Sequence, residues 1–259
     1  GATPLAISVL AAENYYESIG QNWERAAMIK ARPVAGDLAA GNRFLETLQP
    51  FVWRRHLDFA AIEDIQSIKR QIYADKGGST VAVAGHNVKL GRGGIREVEF
   101  FAQTQQLIWG GRNPALRMAK TETAIRGLVD SERVRPDVAQ DMIAGYRFLR
   151  TLEHRLQMID DQQTHSLPDT EEGLHAISEF MGYPGRDEFE TDLLLHLRKI
   201  ESHYADLFED SPSLGGSGVL VFTGGEDHPD TIKTLTDMGF GDPAGISAAV
   251  RGWHHGRHR

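Results

Sequence analysis

A mainly helical fold is predicted by three observations. Four stretches, near 58–74, 94–109, 136–160 and 186–208, carry apolar residues in unbroken stripes at helical spacing. They are joined by short breaks, and several long amphipathic helices so joined imply an antiparallel helical bundle. Before the C-terminal part only Thr80 to Leu90, alternating weakly around Gly85, reads as β structure, a short hairpin. With 259 residues, of which 41% are hydrophobic and 25% charged, the chain can bury a sizeable core in one large or two ordinary domains.

Thr3-Pro4 is a good start for the first helix, because a threonine can cap and a proline fits the first helical position. Ile7, Ala11, Tyr15 and Ile19 then recur at helical spacing until Gly20 ends the run. Asn22 to Arg32 reads as a second helix, ended where Pro33 biases Arg32 toward an extended conformation. On such a helix Arg25 and Arg32 share a face with Ile29, while Trp23 and Lys30 share another. Gly36 to Leu48 is a weaker helix that Pro50 breaks. Asp58 caps a clearer one, with Ile62, Ile65, Ile68 and Ile72 as its stripe and Gly77-Gly78 as its stop.

The stretch from Lys89 to Gln103 organises the rest. Gly91, Gly93 and Gly94 allow positive φ and close backbone approach, and Ile95 onward reads as helix. The turn therefore sits at a helix N-terminus, where unpaired N–H groups favour an anion. On that helix Arg96, Glu99, Gln103 and Gln106 share a polar face, and Ile95, Val98 and Ala102 an apolar one. A helix near Thr121 to Val129 follows. The strongest stripe, from Pro136 to Asp160, then carries Val138, Met142, Tyr146, Leu149, Leu152, Leu156 and Ile159. Its polar side holds Arg147, Arg150, His154, Gln157 and Asp161. His154 lacks a second ligand at metal spacing and reads as a hydrogen-bonded wall residue.

Thr170 and Gly182 bracket a short helix with Leu174, Ile177 and Phe180. Phe189, Leu193, Leu197, Ile200, Tyr204 and Leu207 form the core face of the last long helix. Residues 211–218, rich in serine and glycine, read as a linker. Gly216-Ser217-Gly218 and Glu226-Asp227 superficially suggest a nucleotidyltransferase turn and acidic pair, but the acids precede Pro229 and the spacing is loose. Pro229 and Pro243 each open a short helix, a pair expected to belong to another module. The pattern is still helical where the chain stops and the start is not Met, so a piece of a longer protein is expected. The histidines of the tail read as adventitious.

A net charge of −8 argues against a general nucleic-acid or membrane-surface binder, so any anion site must be local. The absence of cysteine excludes disulfides, thiolate catalysis and Cys-based zinc sites. No early apolar run is long enough to span a bilayer, and a soluble, cytoplasmic protein is expected.

Four motifs, Trp23 to Arg32, Lys89 to Gln103, Glu153 to Met158 and Gln163 to Pro168, together resemble the bifunctional glutamine-synthetase adenylyltransferase/adenylyl-removing enzymes in order and spacing. The form with Gly94-Ile95-Arg96-Glu97-Val98-Glu99-Phe100 is similar to the N-terminal, adenylyl-removing half. The resemblance implies a nucleotidyltransferase that uses phosphate to remove AMP from a tyrosine of glutamine synthetase, releasing ADP and so regulating nitrogen assimilation. It implies two Mg²⁺ ions on strand-borne carboxylates, which should lie before residue 1, so no catalytic residue or metal ligand is assigned within the chain. Implied partners are glutamine synthetase, a PII-type nitrogen-signalling protein, ATP, ADP and phosphate.

In this reading residues 1–33 end a nucleotidyltransferase (α+β) domain and 34–210 form the helical bundle domain. A linker at 211–218 leads to the next, central or regulatory, helical region at 219–259. Glu24, Arg25, Lys30 and Arg32, followed by Lys89, Arg92, Arg96 and Glu99, are the nucleotide- and phosphate-binding candidates, with Glu24 orienting one of the cations. The fragment alone should be inactive. The competing reading is a non-catalytic helical protein-interaction module.

Overall fold

A computed structural model describes residues 6–54, 81–159, 161, 163–209, 229–237 and 239–254. The fold is mainly helical, as the apolar stripes require, and no strand forms among the described residues. None of the described helices is long and apolar enough to cross a membrane. The chain divides into two compact units, Gly1–Phe208 and Glu209–Arg259.

The first helix, α1 (Val9–Ser18), starts later than expected, because the Ser8 side chain caps it by accepting from the Ala11 N–H at 3.2 Å. Thr3-Pro4 lies outside the described residues. The expected stripe is also not a core face: Ile7, Tyr15 and Ile19 are exposed, and only Ala12 of α1 is buried. The second helix, α2 (Asn22–Met28), stops four residues before Arg32. Its end tightens into i→i−3 bonds, from Lys30 N to Ala27 O and from Ala31 N to Met28 O, so Arg25 and Arg32 share no helical face. Asp37 caps α3 (Leu38–Thr47), and Pro50 does more than break it. Proline is tolerated in a first turn, and Pro50 sits in the first turn of α4 (Gln49–Val52).

The helix expected near 58–74 lies outside the described residues. The expected hairpin does not form over residues 81–90. Their pairing capacity is instead taken by a segment far along the chain. Val88 N donates to His165 O at 2.8 Å, Leu167 N to His86 O at 2.9 Å, and Gly85 N to Pro168 O at 3.2 Å. Asn87 and Ser166 form a single antiparallel bridge between the two segments.

The core is built by α5 (Ile95–Trp109), α6 (Thr121–Asp130), α7 (Pro136–Met158), α8 (Glu171–Met181) and α9 (Arg186–Glu209). Ile95, Val98 and Ala102 of α5 meet Ala124, Ile125 and Leu128 of α6, with Met142, Leu149, Leu152 and Leu156 of α7 in the same cluster. Leu174 and Ile177 of α8 and Phe189, Leu193, Leu197, Ile200 and Tyr204 of α9 complete it. Ile159 falls beyond the end of α7 and is exposed. Phe180 of α8 is exposed under the Arg155 guanidinium at 5.4 Å, and Met181 packs on the core. Gly182 ends α8 at φ +86°, the left-handed cap its position predicts. A smaller cluster of Ile29, Val52 and Leu107 fastens α2 and α4 to α5.

Leu152 is fully buried in the main cluster. Leu152→Ala is expected to cost about 2–5 kcal/mol of unfolding free energy, read from the denaturant midpoint of the purified chain. A loss below about 1 kcal/mol would place Leu152 in surroundings that collapse freely around it.

In the second unit α10 (Pro229–Asp237) packs on α11 (Pro243–His254), with Gly239 at φ +88° between them. Both prolines open helices, as expected. The serine- and glycine-rich stretch at 211–218 and the Glu226-Asp227 pair lie outside the described residues.

Candidate functional site

The turn before α5 closes on itself. The Asn87 side chain accepts from the N–H groups of Lys89 (3.1 Å) and Leu90 (2.8 Å). Gly91 N donates to Asn87 O, Gly94 N to Gly91 O, Ile95 N to Val88 O and Arg96 N to Lys89 O. Gly93 N donates to the buried Glu97 carboxylate at 3.0 Å. The expectation of a backbone anion nest is corrected here: the N–H groups that would face an anion are engaged within the turn and helix start. Glycine is nonetheless required. Gly93 has φ +70°, and a Cβ there would stand 2.1 Å from the Leu197 carbonyl oxygen of α9. His86, buried beside Gly91, is held below the usual histidine range by burial, with a backbone hydrogen bond at Arg92 opposing.

Side chains, not backbone, carry the electrostatics. Two carboxylates each gather cations. Glu99 of α5 receives the Lys30 ammonium at 2.8 Å and lies 3.5 Å from the Arg96 guanidinium. Lys30 also donates to Thr121 Oγ1 at 3.1 Å, so one lysine after α2 ties itself to α5 and α6. Arg96 lies 5.1 Å from the Phe100 ring centroid. Tyr146 of α7 is beside this group: burial raises its phenol, a hydrogen bond with Thr121 opposes the rise, and the Glu99 charge adds to it.

The second carboxylate, Glu153 of α7, is almost wholly buried. Its Oε1 lies 3.0 Å from His165 Nδ1 and 3.5 Å from Lys89 Nζ, and its Oε2 accepts from Arg150. A second Arg150 nitrogen is 3.0 Å from His154 Nε2. Arginine can only donate, so that imidazole nitrogen accepts. His154 thus has the hydrogen-bonded wall position its sequence context suggests. The backbone pairing of Val88 with His165 and of His86 with Leu167 brings Lys89 and His165 to the same carboxylate.

The other candidates lie elsewhere. Arg25 is fully buried and donates to the Val52 carbonyl through Nε at 3.2 Å and Nη2 at 3.0 Å. Burial and the nearby Arg54 lower its pKa to about 10. It fastens α2 to α4 instead of facing a cleft. Glu24 accepts from Gln21 N at 2.7 Å and from the Tyr15 hydroxyl, so it caps α2. Arg92 reaches Glu201 of α9 at 3.3 Å. Arg32 is exposed. The structure therefore gathers Lys30, Arg96 and Glu99, puts Lys89 in an adjoining motif cluster, and sends Glu24, Arg25 and Arg92 to other partners.

Sequence reasoning gave Glu153, Arg150, His165, Thr121 and Tyr146 no place among the site candidates, and put Tyr146 on the apolar stripe. One signal was available: Tyr146, Arg150, Glu153 and Gln157 recur at i, i+4, i+7 and i+11, a polar stripe beside the apolar one. No group of three or more metal-ligating side chains is assembled among the described residues. Glu99 and Glu153 do not fit a divalent cation, since both are already surrounded by positive side chains.

Comparison with known proteins agrees with the motifs. Residues 65–208 match the family described as GlnD PII-uridylyltransferase, and residues 1–47 match that described as glutamate-ammonia ligase adenylyltransferase. The bifunctional glutamine synthetase adenylyltransferase/adenylyl-removing enzyme of Rhizobium meliloti (strain 1021) is 56% identical over 260 aligned residues, covering 100% of this chain and 26% of that protein. The proteins of the same description from Agrobacterium fabrum and Mesorhizobium japonicum are 55% and 54% identical, with the same coverage. The chain thus spans about a quarter of the length of these relatives. Similarity along the whole chain, together with a family match over most of its helical core, shows that the chain belongs to the bifunctional glutamine synthetase adenylyltransferase/adenylyl-removing enzymes, with a helical region in common with the GlnD PII-uridylyltransferase family.

Proposed function

We propose that the chain supplies the cationic helical wall of a nucleotidyltransferase that removes AMP from a tyrosine of glutamine synthetase by phosphorolysis, releasing ADP. It corresponds in this reading to the N-terminal, adenylyl-removing half. One observation carries the reading: all four sequence motifs meet in two linked charge clusters. Lys30 of the first motif meets Glu99 of the second, and Lys89 of the second meets Glu153 of the third and His165 of the fourth. Segments at 23–32, 89–103 and 153–168 bring cations together inside a chain of net charge −8, which suits a local anion and not a general basic surface.

Residues 1–33 are assigned to the end of the catalytic domain, and 34–210 to an antiparallel helical bundle that closes over it. The exposed apolar side chains Ile7, Leu10, Ile19 and Trp23 support that assignment, as a surface for the remainder of the catalytic domain. Mg²⁺ would be held by carboxylates of that remainder, where it would neutralise charge on the phosphate of the transferred adenylyl group. The residues of this chain bind and orient, through fixed ammonium and guanidinium donors. A PII-type nitrogen-signalling protein is a further proposed partner of the whole enzyme, which is assigned to the cytoplasm.

The test compares two chains on adenylylated glutamine synthetase. This 259-residue chain is expected to release no ADP, whereas one extended upstream through the acidic strands should release it in a phosphate- and Mg²⁺-dependent way. Turnover by the short chain alone would overturn the assignment and make Glu97, Glu99 or the Glu226-Asp227 pair the first suspects. An inactive extended chain would favour the interaction-module reading.

A further inference from the structure

Glu153 lies at the centre of a floor-and-rim arrangement. Its side chain is 2% exposed, whereas those of Lys89, Arg150 and His165 are 34%, 37% and 26% exposed. A solute approaching from water therefore meets the cations before it meets the carboxylate. The charges do not balance: one carboxylate faces one ammonium and one guanidinium, with an imidazole besides. Lys89 stands 3.5 Å from Oε1, too far for a well-formed hydrogen bond, so its ammonium is held electrostatically and keeps donor capacity. Arg150 spends one nitrogen on Glu153 and directs another at exposed His154, a neutral acceptor that a stronger anionic acceptor can replace.

We infer that Lys89 and Arg150, spaced by the buried Glu153 carboxylate and flanked by His165, form a binding site for a phosphate group that is complete within this chain. Glu153 is a positioning residue: it lies beneath the rim and holds the cations near one another despite their mutual repulsion. His165 is oriented through Nδ1 by the same carboxylate and anchored by its backbone bond from Val88. The ligand class is a phosphate dianion, either free inorganic phosphate or the terminal phosphate of a nucleoside diphosphate. This inference deepens the proposed function, since it says where the phosphate of that reaction is held, but its site does not depend on the missing catalytic carboxylates.

The experiment titrates the 259-residue chain with inorganic phosphate and, separately, with ADP, at constant ionic strength, following binding by calorimetry and backbone amide shifts. The variants are Lys89→Met and Arg150→Met, which keep an apolar stem. Lys199→Met is the control, because Lys199 pairs with Asp141 at 2.6 Å and so loses an ion-paired ammonium outside the rim. Saturable binding by the parent chain is expected, weakened about tenfold or more by each rim variant and unchanged by the control, as for the loss of one charge-assisted bond. If Arg150→Met does not fold, Arg150→Lys keeps the charge and loses the planar fork, and should still weaken binding.

A common dependence on Lys89 with tighter ADP than phosphate binding would identify the nucleotide terminus as ligand. Binding of phosphate alone would identify the free ion. No saturable binding of either, or equal loss in the control, overturns the site. The upstream-extended enzyme separates the two claims: binding in the short chain with an unaltered phosphate KM and kcat in extended Lys89→Met keeps the site and removes it from the reaction. A raised phosphate KM at nearly constant kcat supports both.

Discussion

Gly93→Ala is expected to destabilise the first unit by about 2–6 kcal/mol, the sum of left-handed strain at a non-glycine residue and overpacking against a backbone that cannot yield cheaply. Gly93 has φ +70°, and its added Cβ would lie 2.1 Å from the Leu197 oxygen, 2.6 Å from the Leu197 carbonyl carbon and 2.7 Å from its Cα. These are atoms of α9, a helix whose buried face includes Phe189, Leu193, Leu197, Ile200 and Tyr204. Relief by shifting the turn would also pull Gly93 N from the buried Glu97 carboxylate. Gly36→Ala is the matched comparison: its φ is +73°, and nothing lies within 4 Å of the added carbon. It should cost only the conformational part, about 1–2 kcal/mol. Equal losses at the two positions, read from chemical denaturation, would show that α9 moves aside without penalty.

Lys30→Ala in the upstream-extended enzyme is expected to lower turnover about tenfold to a thousandfold, the range for loss of one fixed charge-stabilising donor. Arg32→Ala is expected within the same range, and nearer its lower end, because Arg32 is exposed whereas Lys30 is held by Glu99 and Thr121. A structural role predicts another outcome for Lys30. Removing a partly exposed ion pair would cost about 1 kcal/mol or less and leave turnover per folded molecule unchanged. Normal turnover in both variants would leave the family assignment standing and remove these residues from the site.

Periodic features were readable from the residues alone. Met142, Leu149, Leu152 and Leu156 are buried where a period of 3.6 puts them, and so are Phe189, Leu193, Leu197, Ile200 and Tyr204. Arg25 was not readable in the same way. Its charge suggests solvent or a ligand, but a backbone carbonyl 27 positions away, Val52 O, accepts from its guanidinium in the interior. The turn before α5 was misread for a related reason. Three glycines suggest free N–H groups, whereas Gly91 N donates to the Asn87 carbonyl, Gly93 N to the Glu97 carboxylate and Gly94 N to the Gly91 carbonyl, through torsions that composition does not encode. The alternation in 81–90 does reflect a tendency to pair, but local pattern cannot say with what. At the candidate site, Arg150 and Glu153 are visible as an i, i+3 pair, while Lys89 and His165 reach that carboxylate only through tertiary pairing.

The backbone pairing of 85–88 with 165–168 has a consequence for how the molecule assembles. Helices can form from neighbours in the chain, but these bonds join segments separated by all of α5, α6 and α7. Closing so large a loop carries an entropic cost that must be met before Lys89 and His165 can share Glu153. The pairing of 85–88 with 165–168 is therefore expected to form after the helices between them, and the contacts of Lys89 and His165 with Glu153 after the local pair of Arg150 with Glu153. Opening those backbone bonds would release His165 from the Lys89 turn without melting any helix. Arg150 and Glu153 stay paired along α7, and Lys89 stays tied through its carbonyl oxygen to Arg96 N at the start of α5. His165 is therefore the member of the cluster that depends most on this pairing.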